Sequence, residues 1–171
     1  MGGVKSDQII LALDVDTAEE ALGWAKRFRS RVGTFKVGLQ LYLREGGKVL
    51  AGLQKLEVPL FLDLKFHDIP HTVGQAVRAV APWRPRFLTV HATGGKEMME
   101  AAVSHAFPET KVLGVTLLTS LTPEAVRATG WVGGVDETVG NLSALARAAG
   151  LAGVVCSPHE AKKERGAWGP L

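Results

Sequence analysis

Three charged residues crowd the segment Pro59-Leu60-Phe61-Leu62-Asp63-Leu64-Lys65-Phe66-His67-Asp68-Ile69-Pro70. Side chains of an extended strand alternate between faces, so Asp63 and Lys65 share one face and Leu60, Leu62 and Leu64 take the other. The leucine face suits a covering layer of helices. The Asp/Lys face is then left for a polar mouth, and Asp68 follows in the loop or the first turn of the next helix. Carboxylates beside an ammonium favour its charged form. A lysine held this way can deliver a proton to a carbanion as it forms, and its charge stabilises that carbanion. A substrate carboxylate set beside Asp63 would be repelled until carbon dioxide leaves, a smaller contribution than the stabilisation by Lys65. The bland alternative is an ordinary ion-pair cluster at a strand end. Charges at the C-terminal ends of barrel strands weigh toward chemistry.

Such residues need elements to position them. Short apolar runs near Ile9–Asp14, Thr34–Val37, Leu60–Asp63, Phe87–Val90, Val112–Thr116 and Gly153–Cys156 read as strands. The first five start roughly 25 residues apart, the length of a βα unit with its loops. Thr122–Gly150 holds additional helix before the sixth. Thr17-Ala18-Glu19-Glu20 fits a capping box. After it Ala18, Ala21, Leu22, Ala25 and Phe28 recur at helical spacing, with Trp24 read as packing beside them. Thr122-Pro123-Glu124 opens a later helix with a cap residue and proline at its first position.

Alternating strands and helices imply a parallel sheet covered by helices. An open doubly wound sheet carries a glycine-rich loop after its first strand, whereas Leu13-Asp14-Val15-Asp16-Thr17 has no glycine. Polar residues instead close several strands: Asp14, Lys36, Asp63 with Lys65, and His91. That is the pattern of a (β/α)8 TIM-type barrel, of which about six units are recognisable and the last two missing or replaced. The expectation is one domain over residues 1–171, C-terminally short, because no linker, low-complexity tract or charge block divides it.

Composition excludes some classes of function. Of 171 residues 46% are hydrophobic and 22% charged, and the net charge is only +3, ordinary for a globular chain with a real core. The 20 Lys and Arg are scattered, with no basic stripe and interleaved aromatics for nucleic acid. The lone Cys156 cannot make an internal disulfide. No apolar run approaches a membrane span, and Met1–Ser6 lacks a signal-peptide pattern, so the expectation is a soluble cytoplasmic protein.

Asp63-Leu64-Lys65-Phe66-His67-Asp68-Ile69-Pro70 resembles the signature of orotidine 5′-phosphate decarboxylases. Leu11-Ala12-Leu13-Asp14, Phe35-Lys36-Val37-Gly38, Val90-His91-Ala92, Leu117-Leu118-Thr119-Ser120 and Val154-Val155-Cys156-Ser157-Pro158 agree in order. The resemblance runs from about Ile9 to about Ala161. It implies decarboxylation of orotidine 5′-phosphate to uridine 5′-phosphate, a step of pyrimidine biosynthesis, with no metal or cofactor. Lys65 would donate the proton to C6 of the pyrimidine, Asp63 would sit beside the departing carboxylate, and Asp14 and Lys36 would hold the ribose hydroxyls. Asp68, Ile69 and Thr72 would reach into the partner's site of a homodimer, and Thr122 would contact the base. His71 stands where the family pattern has asparagine. The family's phosphate clamp, from the seventh and eighth strands, is not matched, and Arg165 falls in the helix after strand six, a poor substitute. Without the clamp, rate as well as affinity should suffer, since remote binding energy supports chemistry.

Two other readings compete: a magnesium-dependent sugar-phosphate lyase or synthase of the same barrel superfamily, which shares an Asp-x-Lys-x-x-Asp array, and an inactive truncated barrel. His67 and His71, four apart, raise the possibility of a shared helix face for metal, though pocket-lining or hydrogen-bonding histidines are the more ordinary reading. Gly94-Gly95 and Gly133-Gly134 read as turns. Trp168 either covers apolar surface or is disordered.

Overall fold

The computed structural model describes residues 5–169. In chain order the elements are β1 (Ile10–Ala12), α1 (Ala18–Phe28), β2 (Thr34–Gly38), α2 (Leu39–Lys55), β3 (Leu60–Phe66), α3 (Pro70–Val80), β4 (Phe87–His91), α4 (Lys96–His105), β5 (Lys111–Val115), α5 (Pro123–Ala128), α6 (Val135–Ala148), β6 (Gly153–Val155) and α7 (Pro158–Trp168). All six expected strands are present, and their hydrogen-bonded order follows the sequence, β1-β2-β3-β4-β5-β6. This is the βα alternation of a (β/α) barrel. The described residues group into two compact units that interleave along the chain. The first holds the residues up to Leu64 with Val80–Leu88 and Phe107–Thr110. The second holds Lys65–Ala79, Thr89–Ala106 and the chain from Lys111 onward.

In the first unit β1, β2 and β3 run parallel, with Ala12 opposite Lys36 and Gly38 opposite Asp63. The ladder continues past β1, because the Leu13 N–H donates to the Lys36 carbonyl at 2.9 Å. Phe35, Val37 and Leu62 are fully buried, each contributing about 1.5–3 kcal/mol of transfer energy. α1 starts where expected, with the Thr17 hydroxyl accepting the Glu20 N–H at 3.2 Å. It buries Ala18, Ala21 and Ala25, a small-residue face that lets it lie close to its neighbour. α2 approaches at Gly52, where a Cβ would come within 2.5 Å of Leu22. Trp24 departs from its expected packing role: it is exposed and stacks on Phe28, with the Arg27 guanidinium 5.6 Å from its ring centre. α2 itself is broken at Gly46, whose φ of 40° and ψ of −124° are not helical.

In the second unit β5 and β6 pair in parallel, with Leu113 opposite Gly153 and Val115 opposite Val155. Residues 122–150 form two helices. α5 is capped by the Thr122 hydroxyl, which accepts the Ala125 N–H at 3.2 Å, and α6 buries Val139, Leu142 and Ala146. Gly114 admits α6 to the sheet, since a Cβ there would meet Leu151 at 3.0 Å and Ala146 at 3.2 Å. α7 begins with a capping box between Ser157 and Glu160. Its buried Glu164 accepts the Ser143 hydroxyl, and the Trp168 indole N–H donates to that same hydroxyl oxygen at 2.8 Å. Trp168 is thus held against α6. Gly95 and Gly133 carry positive φ, as the turn reading requires. Among the described residues no helix is long and apolar enough to cross a membrane.

Candidate active site

The polar residues of the first unit gather at the C-terminal ends of its strands. Lys36, in β2, lies 3.4 Å from an Asp14 carboxylate oxygen and 3.5 Å from an Asp63 oxygen. The parallel register places them so: Gly38 faces Asp63 on one side, and Asp14 follows the end of β1 on the other. Gly38 borders the group: a Cβ there would lie in ordinary contact, 3.5 Å from the Lys36 ammonium and 3.7 Å from Asp14. The surroundings of the two carboxylates differ. The Asp14 side chain is 68% exposed and that of Asp63 14%. An ammonium shared by two carboxylates is the arrangement that the spacing suggested for Lys65; here it is Lys36 that has it. The three groups offer two acceptors and a cation to a polyhydroxylated anion.

In the second unit Lys65 departs from the extended strand that alternation predicts. Its φ is +50°, the left-handed region that residues with a Cβ enter rarely. Its backbone N–H donates to the Thr89 hydroxyl of β4 at 3.0 Å. Asp68, Ile69, His71 and Thr72 are exposed around the start of α3. One Asp68 oxygen accepts the Ile69 N–H at 2.6 Å, and the Ile69 carbonyl accepts the Val73 N–H at 3.1 Å, which makes Ile69 the residue that opens the helix. Helix α3 begins at Pro70, so His67 lies before it and shares no helix face with His71. His67 instead faces His91, their ring centres 5.3 Å apart. Among the described residues no three His, Cys, Asp or Glu side chains are grouped as a metal ion would need.

Family comparison bears directly on these residues. A model of the "Orotidine 5'-phosphate decarboxylase / HUMPS family" matches residues 7–170. The chain belongs to that family. The orotidine 5′-phosphate decarboxylase of Thermobifida fusca is 48% identical over 163 residues, covering 95% of this chain and 70% of that one. The same-named protein of Anaeromyxobacter dehalogenans is 47% identical over 165 residues, covering 96% of this chain and 73% of that one. Among solved structures, the Lactobacillus acidophilus orotidine 5′-phosphate decarboxylase superposes with a TM-score of 0.86 at 34% identity, covering 95% of this chain and 76% of that one. The chain therefore carries six βα units of the family's TIM-type barrel and spans about 70% of these curated relatives' length. The family assignment does not favour the sugar-phosphate lyase reading.

The structure brings Asp14, Lys36 and Asp63 together in one unit and sets Lys65, Asp68, Ile69 and Thr72 in the other. Thr122 is at the N-terminus of α5, its hydroxyl engaged in the cap. That hydroxyl and, more strongly, a backbone hydrogen bond hold the Glu124 carboxyl below the usual range. Thr89 was not legible in the sequence. A threonine in a strand reads as a β-former, and nothing local marks its hydroxyl as the acceptor for a lysine N–H one strand away.

Proposed function

We propose that this chain decarboxylates orotidine 5′-phosphate to uridine 5′-phosphate. The observation that carries the reading is the family match over residues 7–170 on a chain whose β3 bears Asp63 and Lys65 in the signature segment. The bond from C6 to the carboxylate carbon breaks, carbon dioxide leaves, and the electron pair stays on C6. The Lys65 ammonium stabilises that charge and then supplies the proton that replaces the carboxylate. Asp63 faces the departing carboxylate, Asp14 and Lys36 hold the ribose hydroxyls, and Thr122 meets the base. The ion pairs of Lys36 with Asp14 and Asp63 support this, since they fix its ammonium at a strand end.

The reading includes a cytoplasmic homodimer of single-domain barrels in which Asp68, Ile69 and Thr72 serve the partner's site. Ile69 supports it, as an aliphatic side chain left 65% exposed beside these polar neighbours. The reaction needs no metal in this scheme. Carbon dioxide release from orotidine 5′-phosphate, measured with and without chelator, tests it. Turnover unchanged by chelator is expected. Lys65→Ala should lower it by about 10²–10⁴-fold, the usual worth of a positioned acid. Turnover abolished by chelator, or intact in Lys65→Ala, overturns the assignment.

A further inference from the structure

Three described non-glycine residues have positive φ: Glu57, Arg84 and Lys65. Glu57 follows the end of α2, and Arg84 closes the short 3-10 turn Ala81–Trp83; left-handed residues are ordinary at such ends. Lys65 closes no helix. It lies inside β3, where a side chain with a Cβ pays for that conformation and persists in it only if the surroundings impose it.

The surroundings include one group placed to do so. Thr89 is 0% exposed, in a strand where its neighbours Leu88 and Val90 are equally buried. Valine has nearly the same shape and the same strand preference, so packing alone gives no reason for a hydroxyl there. A buried hydroxyl is a liability unless it is hydrogen-bonded. This one accepts the Lys65 N–H at 3.0 Å, whereas the ordinary acceptor for a strand N–H is a carbonyl of the next strand. His91, two residues on and so on the same face of β4, meets His67 in the segment just beyond Lys65.

We propose that Thr89 is a positioning residue for Lys65. Its hydroxyl pins the Lys65 peptide in the left-handed turn and so sets the direction in which the lysine stem leaves the strand. Thr89 acts on the reaction through Lys65, and the proposal rests on the reading of Lys65 as proton donor. It predicts a defect in the chemical step rather than in substrate capture, because a displaced acid costs transition-state stabilisation.

The test compares Thr89→Val, which keeps shape and removes the acceptor, with Thr89→Ser, which keeps the hydroxyl. Thr89→Val should lower kcat about 10–100-fold with KM nearly unchanged, and Thr89→Ser should restore most of it. Should Thr89→Val fail to fold, Thr89→Ala carries the same expectation. An undiminished kcat in the acceptor-less variant, or equal losses in both variants, overturns the proposal. A second readout needs no turnover: hydrogen exchange of the Lys65 amide and the NMR shift of its ε-carbon, at unchanged bulk fold. Both should move in Thr89→Val and return in Thr89→Ser; unchanged signals overturn the positioning role. If the native chain releases no carbon dioxide, the decarboxylase reading falls by itself, and the Lys65 signals still decide whether Thr89 positions it.

Discussion

Lys36 is the hub of the first unit's polar end, and its two ion pairs should contribute very unequally to stability. At 3.5 Å from Asp63 the gross attraction is about 5 kcal/mol at an effective dielectric of 20. At 3.4 Å from Asp14 it is only about 1 kcal/mol if bulk water screens the pair. The exposures of 14% and 68% assign the first value to Asp63 and the second to Asp14. Desolvation and side-chain ordering offset much of each. The expected coupling in a double-mutant cycle is then about 1–2 kcal/mol for Lys36→Met with Asp63→Asn. For Lys36→Met with Asp14→Asn it is below about 0.5 kcal/mol. Urea unfolding at low salt and at 1 M salt measures both. At 1 M the screening length is about 3 Å, so the Asp14 coupling should vanish while most of the Asp63 coupling remains. Equal couplings, or two couplings that disappear together in salt, would refute the argument from burial.

Other perturbations test the packing and the second unit. Gly33→Ala places a Cβ 2.5 Å from the Asp7 backbone. It should cost about 1–3 kcal/mol, read as a lower thermal midpoint, and an unchanged midpoint would mean the contact yields freely. Ser143→Ala strips the buried Glu164 carboxylate and the Trp168 indole of a shared partner. A loss of about 2 kcal/mol with altered tryptophan emission is expected, and a neutral effect would refute the contact's value. Burial first, and the negative charges of Glu160 and Glu164 next, push the Cys156 thiol above its ordinary value. Its alkylation rate should therefore rise at higher pH than that of a free thiol, and Glu160→Gln should bring the midpoint back down. A midpoint at or below the free-thiol value contradicts this.

How much of this was legible in sequence depends on the range of the forces involved. The strands were, because burial of Phe35, Val37, Leu60 and Leu62 imposes a short apolar run whatever the tertiary partner. The caps at Thr17 and Thr122 were, because their partners lie three residues on. Asp14, Lys36 and Asp63 were recognisable as strand-end residues, but that Lys36 bridges both carboxylates follows from the register of three strands. The left-handed turn at Lys65 has no local signature, since no glycine or asparagine announces it. Its support from Thr89 is a contact across 24 residues of chain. Trp24 misled because helical spacing alone does not separate the inner stripe from its margin. There, stacking on Phe28 and Arg27 suffices.

The break in α2 at Gly46 has a kinetic consequence. The stretch from Leu39 to the break is held to the loop between β1 and α1 by Asp16, which accepts from Gln40 at 2.6 Å and pairs with Arg44 at 3.4 Å. It buries Leu41 but leaves Leu43 78% exposed, while Val49, Leu50 and Leu53 beyond the break are all buried. Two segments of one helix with such different anchorage should open on different timescales. Amides of residues 39–45 should lose protection through a local fluctuation while those of residues 49–53 wait for a larger one. With Leu41 as its anchor in the core, the segment that follows Lys36 would then open ahead of the stem beyond Gly46 rather than together with it.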